Sequence, residues 1–183
     1  MCVMKQYIAN ILRWMLTPLR RSKQARYAEP AAERGVQRRE LPNEGYLTVV
    51  SQFVARGERV VFAVKGFSMR PFLEHLRDKV ELSPWTELHV GDAVLAEIAP
   101  GHFVLHRIQH INGWQLTLHG DGNLRGVEHC TVEDVRGVVT KYIRPGGHVL
   151  PTDDPTLKRR IRRWNRLPLI MRRAYLFIYK QTI

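Results

Sequence analysis

Apolar positions along the 183-residue chain change period from segment to segment, and the changes divide it. Ile8, Ile11, Leu12, Met15 and Leu19 recur at helical spacing, with Pro18 marking the end of a first helix. Residues 20–42 are charged and interrupted by Pro30, Gly35 and Pro42, the composition of a linker. Asn43 is placed to cap a second helix whose apolar face is Tyr46, Leu47, Val50, Phe53 and Val54, with Gly57 ending it. From 59 to 144 the period falls to two. Short β-branched runs separated by turn residues predict strands near 59–65, 79–83, 93–98, 102–111, 114–119 and 135–143, a mainly β body rather than a βαβ one. Leu157, Ile161 and Trp164, then Ile170, Ala174 and Phe177 to Ile178, predict two closing helices joined at Pro168. The expected organisation is therefore a helix and basic linker over 1–42, a β domain over 43–150 and basic amphipathic helices over 151–183.

Asn112-Gly113 sits between two alternating runs, the strongest short signal for a two-residue hairpin loop. With those two residues as the loop, Ile111 pairs with Trp114, His106 faces His119, and Asp121 becomes a diagonal neighbour of His106 on the same face. His119 reads as a surface residue, with a second base as its other reading. His102, His106 and His110 recur every four residues, which on a helix would make a metal-binding face; along a strand they stand roughly 13 Å apart, too far for one ion. No metal or cofactor is expected.

Net charge changes the picture by its distribution. Residues 1–40 carry +6 and residues 157–183 carry +9 with no acid, whereas 41–156 carry −3, so the +12 total belongs to the ends. Residues 1–42 are too short and linker-like for a DNA-binding domain, which argues against nucleic acid as the partner of the Lys158–Arg166 run. That run reads either as an interfacial helix on anionic lipid, giving 157–183 peripheral membrane contact, or as a solvated basic face packed on the body. Two cysteines, Cys2 and Cys130, make no disulfide framework and are expected to be inert thiols of a reducing compartment, the cytoplasm. No uncharged apolar run reaches 18 residues, so no spanning helix is expected.

Gly66-Phe67-Ser68-Met69-Arg70-Pro71 follows the first strand and sets one serine on a sharp corner. A serine hydroxyl is a weak nucleophile until a base takes its proton, and histidine titrates where that exchange is easy. Ser68, His106 and Asp121 are the right types for nucleophile, base and supporting carboxylate. Gly66-x-Ser68-Met69-x-Pro71, Gly91-Asp92-x-Val94-Leu95, His106-Arg107-Ile108 and Gly120-Asp121-Gly122-Asn123 resemble, in order, the boxes of the signal peptidase and LexA-type superfamily of serine peptidases, over roughly residues 43–145.

The resemblance implies a LexA/signal peptidase-type β fold, here with flanking N- and C-terminal helices, and a serine endopeptidase cleaving a peptide or protein substrate. It implies Ser68 as nucleophile and, at the position where many members carry lysine, His106 as general base, the variant seen in endoplasmic-reticulum and archaeal signal peptidases. Asp121 matches the aspartate of the last box, either orienting His106 or holding the turn. Phe67, Met69 and Phe72 are expected to line the substrate groove. Gly66 stands where some members place a hydroxyl that binds the oxyanion, leaving backbone amides such as that of Ser68. The alternative function is a catalytically weak or inactive member that binds a peptide or partner in a processing or export system.

Overall fold

A computed structural model describes residues 43–181. The helix expected over residues 8–19, the linker 20–42 and Cys2 lie outside the described residues. A helix α1 (Asn43–Ala55) leads into β1 (Val60–Ala63), β2 (Lys79–Ser83), β3 (Ala93–Ala99), β4 (His102–Asn112), β5 (Gln115–His119), β6 (Glu128–Thr131), β7 (Val135–Arg144) and β8 (His148–Pro151); helices α2 (Pro155–Arg166) and α3 (Leu169–Gln181) follow. All strand pairings are antiparallel, in the order β1-β2-β7-β3-β4-β5-β6, with β8 on β7. The mainly β expectation therefore holds, with helices at both ends of the described chain.

Two strands escaped the periodicity. β6 reads Glu-His-Cys-Thr, with no large aliphatic residue to show alternation, and β8 has only Val149 and Leu150 before Pro151. Neither presents a two-sided pattern. β3 is the opposite case: Ala93 to Ala96 are all buried, because an apolar cluster covers each face of the sheet. Ala93 and Leu95 join the larger cluster, under Val50 and Val54 of α1, Leu157, Ile161 and Trp164 of α2 and Tyr175 of α3. Val94 and Ala96 join Ile108, Leu116, Leu118 and Val135 on the other side. In α1, Tyr46 and Phe53 of the expected apolar face remain 36% and 39% exposed, so Val50 and Val54 carry its packing.

α2 begins with Asp154, whose carboxylate accepts the Leu157 amide at 2.8 Å, and with Pro155 at a position that needs no N–H. Its arginine-rich outer side does not make it a detached helix. Leu157, Ile161 and Trp164 are buried, so α2 packs on the body as the solvated-face reading requires. Among the described residues no helix is long and apolar enough to cross a membrane.

Candidate functional site

The hairpin register decides which side chains meet. Its loop is Gly113-Trp114, with Asn112 opposite Gln115 and Ile111 opposite Leu116. Between Ile108 and His110 the pairing slips by one, leaving Gln109 as an extra residue, so that Ile108 faces Leu118 and Arg107, not His106, faces His119. The expected His106–His119 pair is thereby corrected. His106 shares a face with Ile108, Leu118 and Glu128, whereas Arg107, His119 and Asp121 belong to the other.

Asp121 accordingly does not orient His106. Its carboxylate takes a forked bond from Arg107, Nε to Oδ1 at 2.9 Å and Nη2 to Oδ2 at 2.6 Å, and both side chains are buried. Arg107 also donates to the Gly91 carbonyl at 2.7 Å and the Tyr142 hydroxyl at 3.2 Å. Asp121 is thus an anchor of the 120–123 loop. The residue that holds His106 is Glu128: its Oε2 lies 2.7 Å from Nδ1. Nothing in the sequence pointed to it, because it lies on the strand that the alternation did not show.

The Ser68 corner is built from short polar contacts. Gly66, at φ +103°, donates its amide to His75 Nδ1 at 2.8 Å, and Arg70 reaches Glu74 in a forked bond while lying 4.2 Å above the Phe67 ring. Met69 starts a tight turn in which its carbonyl accepts the amides of Phe72 and Leu73, both at 3.0 Å. That turn buries Met69 and Phe72 in the larger cluster, where Phe72 meets Trp164 edge-on at 6.4 Å. Of the three residues expected to line a groove, only Phe67 does not contribute to the core; it is 55% exposed. Met69 and Phe72 are core residues, because the turn after Ser68 rotates them inward.

The corner and the Asp121 loop are packed backbone to backbone. Ser68 accepts the Gly122 amide on its carbonyl at 2.7 Å. A Cβ on Gly120 would lie 2.6 Å from that same carbonyl oxygen and 3.0 Å from His106 Nε2, and one on Gly122 would lie 2.8 Å from the Phe67 carbonyl. Only glycine permits the approach. The same space locates His106: its Nε2 and the Ser68 backbone border one small volume, and a neutral ring that donates Nδ1–H to Glu128 carries its lone pair on Nε2. Ser68 is half-buried beside it, and among the described residues its hydroxyl makes no hydrogen bond to His106. Such an arrangement has a hydroxyl, a proton acceptor and a carboxylate that fixes the acceptor's tautomer.

His119, read from sequence as a surface residue, is buried. Burial, then the positive charge of Arg172, hold its pKa below the ordinary imidazole value. From the far side the 120–123 loop is tied to the closing helices: Trp164 Nε1 and Arg172 Nη2 donate to the Asp121 carbonyl at 2.7 and 2.9 Å. His102 and His110 are exposed along β4, on either side of buried His106. No protein-family model, curated protein or solved structure matches the chain.

Proposed function

We propose that the protein is a serine endopeptidase of the signal peptidase and LexA-type superfamily, with the corresponding β fold. The observation that carries the reading is the buried His106 ring, fastened to Glu128 at Nδ1 and open at Nε2 toward the Ser68 corner. Ser68 Oγ attacks the carbonyl carbon of the scissile bond as His106 Nε2 takes its proton. The amine leaves with that proton, giving an acyl-enzyme on Ser68. Water, deprotonated by the same imidazole, then releases the acid and restores the hydroxyl. Glu128 holds the tautomer and stabilises the imidazolium, and Asp121 keeps the loop beneath it in place. With Gly66 lacking a side chain, the oxyanion is met by backbone amides, that of Ser68 among them.

Exposed Phe67 is the side chain at the corner suited to touch an apolar substrate residue. A second reading, a peptide-binding protein without turnover, is favoured by the missing Ser68–His106 hydrogen bond, although such bonds often tighten only with substrate. One experiment separates the two. A fluorophosphonate probe is incubated with the wild type, Ser68→Ala, His106→Ala and Glu128→Gln. The peptidase reading expects labelling of the wild type alone at full rate, none of Ser68→Ala, and slow labelling of the others. Equal labelling of all four, or of none, favours the binding protein.

A further inference from the structure

The surface of α3 points to a lipid partner. From residue 157 onward the chain holds nine Lys and Arg and no acid. α2 commits its apolar side to the core. α3 does so only in part: Tyr175 is buried, while Ile170, Phe177 and Ile178 remain 77%, 67% and 40% exposed. Positions 170, 174, 177 and 178 fall on one stripe at 3.6 residues per turn, and Arg173 and Lys180 line one edge of it, both exposed.

Charge selects the occupant. A second copy docked through the same face brings the same cations, and residues 1–40 bring +6, so neither complements this face. The partner must be anionic and must also take up an isoleucine and a phenylalanine, which a phosphate backbone does not. An anionic bilayer does both, offering headgroups to Arg173 and Lys180 and the acyl boundary to Ile170 and Phe177. We infer that α3 docks on anionic lipid in the plane of the interface through Ile170, Ala174, Phe177 and Ile178. The inference stands independently of the peptidase reading.

The test is co-sedimentation of the full chain with vesicles of phosphatidylglycerol and phosphatidylcholine, and with vesicles of phosphatidylcholine alone. The wild type is expected to bind the mixed vesicles, more weakly as salt rises, and the neutral ones far less. Ile170→Asp/Phe177→Asp should weaken binding about tenfold or more. Arg173→Ala/Lys180→Ala should weaken it and flatten its salt dependence. Both pairs are exposed, so unchanged melting shows that folding is intact. Undiminished binding of the double-aspartate variant, equal binding of the wild type to neutral vesicles, or no vesicle binding at all would overturn the inference. Retention on duplex DNA that the double-aspartate variant loses, without vesicle binding, would instead give the face to a polyanion.

Discussion

Arg107 grips Asp121 from two nitrogens where neither side chain is more than 4% exposed. Removing one partner strands a buried charge. Asp121→Asn should therefore cost about 3–5 kcal/mol, read as a lower urea midpoint, while Arg107→Met/Asp121→Leu should recover much of it. An Asp121→Asn protein of normal stability that no longer acylates would return Asp121 to the catalytic group.

Glu128 behaves differently, because its side chain is 27% exposed and its one described hydrogen bond is to His106. Glu128→Gln should leave the melting temperature nearly unchanged and slow acylation about a hundredfold or more, by removing the charge that faces the imidazolium. Stopped-flow labelling with the fluorophosphonate measures it. A rate like that of the wild type would reduce Glu128 to a surface contact.

Gly120→Ala pushes a methyl against the Ser68 carbonyl, a backbone atom that cannot swing aside. A loss of about 1–3 kcal/mol and of labelling together is expected. Gly45→Ala is the control: its Cβ meets nothing within 4 Å, and it lies within α1. That variant should match or exceed the wild type in stability.

His119 gives the fold an acid sensitivity. Above its ordinary pKa of 6.5 the ring is neutral whether the chain is folded or not, and nothing is lost. As pH falls from 6.5 toward the depressed folded value, the unfolded chain binds the proton first, so stability declines across that window. Arg172 and His106 oppose the charge on the ring, and Asp121 and Glu128 partly favour it. Melting temperatures of His119→Gln should fall less between pH 7 and 5 than those of the wild type; parallel curves would assign the loss elsewhere.

Cys130 is half-buried, and burial pushes its thiol up to about 11. At neutral pH the thiolate is scarce, so in Cys2→Ser protein iodoacetamide should label it far more slowly than a free cysteine peptide. Labelling at the peptide's rate would contradict that microenvironment.

The body was legible where burial imposed a period. β2 was predicted at 79–83 and is Lys79–Ser83, and β3 and β4 differ from expectation by one residue, since each carries large apolar side chains toward a cluster. The candidate site was half legible. Ser68 and His106 were visible as candidates, yet of the two roles open to Asp121 its contacts match only the holding of its turn, for one reason, the extra residue at Gln109. The tip of the hairpin lies two positions from the expected register, a shift that leaves faces unchanged. The bulge shifts by one, and a shift of one exchanges faces. It moves Asp121 from His106 to Arg107 and leaves His106 to Glu128. A bulge is an outcome of packing between strands, with no mark in the local sequence at Gln109. Met69 and Phe72 were misplaced similarly, since the tight turn after Ser68 has no strand-like alternation to read.

The Asp121 carbonyl receives Trp164 and Arg172 on one side of a loop whose other side supports Ser68 through Gly122. Two helices remote in sequence thus act as a buttress for the corner. A force that lifts α3 is transmitted through the single Asp121–Gly122 peptide group to the Ser68 carbonyl, so a chain shortened before residue 164 would keep every reacting group and lose their alignment.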